Sequence, residues 1–173
     1  NGAGMDRRFF HRLGASRLDR TICAEAGAVA LNNALGTRLG PAPEDFAQSK
    51  LIIAWGANVL STNVHLWPFI VEARRRGAKF YVIDPVRTKT ASLADHHFTP
   101  YPGSDLALAL GLIHVLVRDE LIDREYIAQY TEGFESLAAL AADYPPHRTE
   151  HLTGIPASDI ESLAHDYAEM RPS

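Results

Sequence analysis

The chain has 173 residues, 46% of them hydrophobic and 22% charged, and carries a formal net charge of −4 at pH 7. That is one domain's length, enough to bury roughly 70% of the unfolded surface, and its acidic balance argues against a general nucleic-acid binder. No apolar run approaches the roughly 20 residues of a membrane span, so no membrane contact is expected, and the single cysteine excludes an internal disulfide or a multi-cysteine zinc or iron–sulfur site within these residues. One cysteine also suits a reducing compartment, and a cytoplasmic location is expected. The opening residues NGAGM lack an initiator Met and a targeting segment. They read as the middle of a longer polypeptide, with any export signal or cluster domain upstream.

Asp6 to Leu13 (DRRFFHRL) predicts a short helix closed by Gly14. Cys23 to Leu35 is Ala-rich and predicts a helix ended by Gly36, since Ala is the best helix former and Gly a common terminator. Thr37 to Asp45 is a Pro/Gly loop. Leu51 to Trp55 is a continuous apolar run, as in a parallel strand covered on both faces. From Leu66 to Arg76, the residues Leu66, Phe69, Ile70 and Ala73 recur at helical spacing, with Pro68 tolerable only near the first turn. Phe80 to Ile83 predicts a second strand, stopped by Pro85. A long helix follows from Leu106 to Val117, with an apolar face of Leu106, Leu110, Ile113 and Val117. The tail from Asp123 alternates short helices with turns, and Ser158 with Glu161 has capping-box spacing, which starts the last helix near Ser158.

These elements predict an α/β fold class: a Rossmann-like dinucleotide-binding domain, its parallel sheet flanked by helices, with a helical carboxyl-terminal part. All 173 residues are expected to form a single domain, with a loop and helix over about 1–40, a βαβ core over 50–118 and a helical extension over 119–173.

Polar groups gather after each predicted strand, where α/β sheets bind nucleotides. In Trp55-Gly56-Ala57-Asn58, glycine lets backbone approach a ligand and the following helix start offers amides to phosphate; a tight turn that binds nothing has the same sequence. Asp84 stands 28 residues after Gly56, against ~20 for the ribose-binding acid of dinucleotide folds, and an Asp that caps a turn before Pro is the alternative. The three-glycine fingerprint of nicotinamide enzymes is missing. In Pro102-Gly103-Ser104-Asp105, Ser104 or Asp105 either caps the next helix or supplies a carboxylate for guanine's ring N–H and amino group, a bidentate pair that selects guanine over adenine.

Cys23 falls at a predicted helix start near Arg17 and Arg20, which favours the thiolate that reacts or ligates soft metals. A lone Cys on an Ala-rich helix is otherwise a small buried hydrophobe. The eight His residues show no zinc spacing; His96-His97 is adjacent and without an HExxH partner. His65 lies near the first turn, and Arg74-Arg75-Arg76 closes a helix at its negative dipole end.

Taken in order, NGAGMDRRFFHRLGASRLDRTICAEAGAVALNNALG, KLIIAWGANVLSTNVHLWPFIVEARRRGAKFYVIDPVRTKTASLAD, PGSDLALALGLIHVLVRDELIDREYIAQYTEGFESL and LTGIPASDIESLAHDYA resemble the molybdopterin oxidoreductases of the dimethyl sulfoxide reductase and formate dehydrogenase superfamily. The resemblance implies an enzyme binding bis-molybdopterin guanine dinucleotide (bis-MGD) with Mo or W, and a 4Fe-4S cluster outside these residues. It implies Gly56 and Asn58 at one pyrophosphate, Asp84, Arg87 and Thr88 at its ribose and phosphate, and Gly103, Ser104 and Asp105 around the guanine. Cys23 would be the metal ligand, for oxo-transfer or formate-type redox chemistry. Expected partners are the remaining domains of the same enzyme and an electron-transfer subunit, with no nucleic acid.

Three departures stand out. Val86 replaces the common Arg of IDPR, Ser104 replaces the Thr of PGTD, and the family's cluster-bearing and second-dinucleotide regions are not in these residues. A non-catalytic electron-transfer scaffold, like the iron–sulfur large subunit of NADH dehydrogenase, is the first alternative; Cys23 and an intact PGSD argue against it. An ordinary nucleotide-binding module is the second.

Overall fold

The computed structural model describes residues 5–16 and 24–173. Cys23, Arg17 and Arg20 lie outside the described residues. The chain gathers into two compact units, Asn1–Gly40 and Pro41–Ser173. The first holds α1 (Met5–Arg12) and α2 (Glu25–Leu35). Gly36 ends α2 with a left-handed φ of 69°, its N–H bonding to Asn32 O at 3.0 Å, the glycine stop that the sequence predicts.

In the second unit, β1 (Leu51–Trp55), β2 (Lys79–Ile83) and β3 (His96–Phe98) form one parallel sheet in the order β1-β2-β3. Leu51 pairs with Lys79 through to Trp55 with Ile83, and Tyr81 with His96 through to Ile83 with Phe98. A four-residue turn of helix, α3 (Val59–Thr62), and then α4 (Trp67–Arg75) cross from β1 to β2, with Pro68 in the first turn where its missing N–H costs nothing. The alternation of side chains along a strand divides the core in two. Ile52, Ala54, Phe80 and Val82 pack with Ile70 and Ala73 of α4 on one face. Leu51, Tyr81, Ile83 and Phe98 pack on the other face with Leu108, Ile160 and Leu163, from α5 (Asp105–Arg118) and α9 (Ala157–Glu169). Both faces are apolar, which is why LIIAW reads as an unbroken run.

Between α5 and α9 the chain forms α6 (Arg124–Tyr130), α7 (Phe134–Ala142) and α8 (Pro146–Thr153). Asp123 caps α6, its carboxylate accepting the Tyr126 N–H at 2.8 Å. The carboxylate of Asp166 on α9 accepts from Tyr81 Oη at 2.6 Å and from Lys79 Nζ at 3.2 Å, which ties α9 to β2. No helix among the described residues is long and apolar enough to cross a membrane.

Three sequence expectations change. The strand His96–Phe98 was not expected; it is three residues long, pairs on one side with β2, and is opened by two histidines, so pairing rather than propensity makes it. On α5 the buried stripe is Leu108, Leu110, Gly111 and Val115, whereas Leu106 is 69% exposed. That helix is apolar nearly all round, so periodicity alone does not choose a face. Packing does: a Cβ on Gly111 would stand 2.6 Å from the Thr149 hydroxyl, so α8 approaches α5 at that glycine. Finally, α9 starts at Ala157, next to the predicted Ser158, but with Pro156 at its N-cap and no side-chain cap. The Ala157 N–H is satisfied instead by Glu150 Oε2 at 3.1 Å, and Glu161 pairs with Arg118 at 2.9 Å, so the capping box does not form.

Candidate nucleotide-binding edge

The three parallel strands deliver their following loops to one edge of the sheet, the edge where ligands bind in open α/β folds. Gly56 follows β1, Asp84 follows β2, and Pro100 to Asp105 follows β3 and leads into α5. The edge therefore brings together all the predicted site residues except Cys23, which lies outside the described residues.

Gly56 and Gly103 have left-handed φ values of 60° and 85°, and nothing stands within 4 Å of where a Cβ would be. Any other residue would strain there, while the open space leaves backbone available to a ligand. The Gly56 N–H bonds to Ile83 O at 2.8 Å, which fixes the turn to β2. Asn58 is held through its side chain: Thr90 Oγ1 donates to Asn58 Oδ1 at 2.8 Å and accepts the Leu60 N–H at 3.0 Å. With its oxygen so engaged, the Asn58 amide keeps its N–H donors for another partner. Thr90 is fully buried. Sequence reasoning missed it, because a bond across 32 residues leaves no local pattern.

The expected amide cradle after Gly56 is narrower than the sequence implies. The helix there, α3, is one turn long, and its Leu60 N–H is already taken by Thr90. Asp84 follows the turn alternative in part, its Oδ1 accepting the Val86 N–H at 2.8 Å. Its carbonyl accepts from His97 Nε2 at 2.8 Å, so the histidine of β3 braces the same loop. Thr88 Oγ1 accepts the Ala91 N–H at 3.1 Å at the start of a short 3-10 turn. Arg87, Val86 and His65 are exposed.

The PGSD loop is braced from behind. The Tyr101 N–H bonds to Thr153 O at 2.8 Å, and a Cβ on Gly154 would strike the Tyr101 ring at 2.7 Å. Ser104 takes the N-cap position of α5, but its hydroxyl donates to Tyr101 O at 2.7 Å rather than capping the helix. Asp105 is exposed, and its Oδ1 accepts the indole N–H of Trp55 at 2.7 Å. That bond joins the end of β1 to the start of α5.

Two concave clefts of this unit are centred away from these loops, although the second reaches Trp55. One, lined by Phe46, Ser49 and Leu51, opens at the amino end of β1; another runs beneath α9 along Ile53, Leu112 and Tyr167. The strand-end edge is an open surface of loop backbone and polar side chains, suited to an extended ligand. Among the described residues, no three His, Asp or Glu side chains stand together as a metal site.

A small parallel three-stranded sheet flanked by helices, with a helical carboxyl-terminal part, defines an α/β domain. Residues 8–143 match the molybdopterin oxidoreductase family, and the chain belongs to that family of molybdopterin-dependent enzymes. It is 42% identical over 170 residues to the probable oxidoreductase YoaE of Bacillus subtilis (strain 168), covering 98% of this chain and 25% of that protein. To formate dehydrogenase H of Escherichia coli (strain K12) it is 34% identical over 121 residues, covering 70% of this chain and 17% of that one. The solved structure of acetylene hydratase from Pelobacter acetylenicus superposes with a TM-score of 0.82 at 31% identity, over 98% of this chain and 23% of that chain. The chain thus spans about a quarter or less of the length of these relatives. The family resemblance and the α/β fold class read from the sequence are both borne out.

Proposed function

We propose that this chain is the part of a molybdenum or tungsten oxidoreductase that holds one guanine dinucleotide of a bis-MGD cofactor and supplies the metal ligand. The observation that carries the reading is the exposed Asp105 carboxylate, held at the strand-end edge beside two open, left-handed glycine turns. The residues present fit such a group in their donor chemistry: a carboxylate for guanine, amide donors and an arginine for phosphates, and backbone without Cβ where a ligand passes.

In this reading Asp105 accepts guanine's ring N–H and 2-amino group, a pairing that adenine cannot offer. Gly103 and Ser104 shape the turn that admits the base. Asn58, its oxygen committed to Thr90, turns N–H donors to the pyrophosphate, and Gly56 gives the backbone room beside it. Asp84 and Thr88 face the ribose, and Arg87 offsets phosphate charge. Cys23 as thiolate ligates the metal. The bound cofactor supplies the redox chemistry, while the protein fixes its position and surroundings. A 4Fe-4S cluster, an electron-transfer subunit and a cytoplasmic setting belong to the same proposal for the whole protein.

Two variants of the full-length protein test it. Asp105→Ala should lower GMP released by acid hydrolysis relative to wild type. Cys23→Ala should keep the GMP and remove one sulfur scatterer from the Mo or W X-ray absorption spectrum. Unchanged GMP in the first variant counts against the guanine pocket; an unchanged metal shell in the second counts against the ligand.

A further inference from the structure

We propose that Trp55 is a positioning residue for nucleotide selection: its indole N–H holds the Asp105 carboxylate in the orientation that accepts guanine. The inference rests on the reading of Asp105 given above. Trp55 is the last residue of β1 and Asp105 the first of α5, and the Nε1–Oδ1 distance is 2.7 Å, in the range of a charge-assisted bond. The indole is half-buried, packed against the core cluster of Leu51, Ile83 and Leu108, so the donor has a fixed origin.

An exposed aspartate in the first turn of a helix has other choices. It rotates freely, or it turns back to bond nearby backbone N–H groups. Here the carboxylate is committed across 50 residues to one indole. An ionised carboxylate has about four acceptor positions. Trp55 takes one on Oδ1, which leaves an acceptor on each oxygen for the paired N–H groups of guanine. Side-chain freedom is thus surrendered on folding rather than on binding. The Trp that closes the apolar run of β1 serves the strand with one face and the clamp with its ring nitrogen.

Calorimetry on full-length protein prepared without cofactor tests this, with GMP and IMP as probes. IMP lacks the 2-amino group, so the GMP-to-IMP affinity ratio reports the two-point contact alone. Wild type should prefer GMP by about tenfold or more. Trp55→Phe should cut that preference severalfold, and so should benzothienylalanine at position 55, which keeps the ring shape and lacks the N–H. In an Asp105→Ala background, Trp55→Phe should have no further effect on the ratio. A tryptophan that only packs would weaken both ligands equally and leave the ratio intact. An unchanged ratio in both Trp55 variants, with the ratio lost in Asp105→Ala, overturns the positioning role and leaves the guanine reading standing. No preference in wild type, or a preference kept in Asp105→Ala, overturns the guanine reading and this inference with it.

Discussion

Thr90→Val is nearly isosteric and removes only the hydroxyl that joins the turn after β1 to the loop after β2. In the native chain that hydroxyl donates to Asn58 Oδ1 at 2.8 Å and accepts the Leu60 N–H at 3.0 Å, at a residue with 0% exposure. Each bond contributes about 1 kcal/mol net, and a poorly solvated N–H left without a partner costs about 1–3 kcal/mol. Removing a buried hydroxyl returns part of this, so the expected loss is about 2 kcal/mol. For a chain of this size that lowers Tm by roughly 4–8 °C. Thr90→Ser keeps both bonds and loses one methyl, about 1 kcal/mol. Thermal unfolding followed by circular dichroism should therefore rank wild type, then Ser, then Val. Nucleotide affinity separates the two further, because only Val releases the Asn58 amide. A Val variant more stable than the Ser variant, with unchanged nucleotide affinity, would refute the reasoning.

Gly111→Ala gains helix propensity of about 1 kcal/mol but sets a Cβ 2.6 Å from Thr149 Oγ1. Thr149 is fully buried and its hydroxyl is bonded to Tyr144 O at 3.0 Å, so overpacking of about 1–3 kcal/mol should win; a urea midpoint above wild type would contradict the close approach of α5 and α8. Asp119 is held down from the usual 3.8 to about 2, first by the Arg118 guanidinium beside it and then by His165. A carboxylate with a depressed folded pKa stabilises above its unfolded pKa, and that contribution fades as pH falls from about 4 to 2. Asp119→Asn should accordingly be less stable than wild type at pH 6 and converge with it near pH 2, as an acid-unfolding series would report; a constant gap across that range speaks against the pair. The isolated 173 residues, reconstituted with cofactor, should show no turnover, since they span about a quarter or less of their relatives' length; rates near those of the intact enzyme would show that these residues suffice.

What the sequence makes legible is the part that local chemistry dictates. LIIAW and FYVI announce strands because both faces of the sheet are apolar, and α4 announces itself through Ile70 and Ala73 at helical spacing. Gly36 ends its helix and Gly56 makes the tight turn after β1 where each was expected, both with left-handed φ. The site's loops were legible for the same reason, since Gly, Asn and Asp cluster after apolar runs. Its internal wiring was not. Trp55 with Asp105 and Asn58 with Thr90 are partners 50 and 32 residues apart, and only the fold makes them neighbours. The strand at His96 escaped because three residues carry too little pattern. The face of α5 escaped because an almost wholly apolar helix is oriented by its neighbours, here through Gly111 and Thr149.

The most direct measurement is the metal and guanine content of the full-length protein, by elemental analysis and by chromatography of GMP after acid hydrolysis. A bis-MGD enzyme holds about one Mo or W and two GMP per chain, because two guanine dinucleotides share one metal and each releases one GMP on hydrolysis. Iron without Mo, W or GMP, in protein from cells able to make the cofactor, would contradict the account and make the chain part of an electron-transfer scaffold.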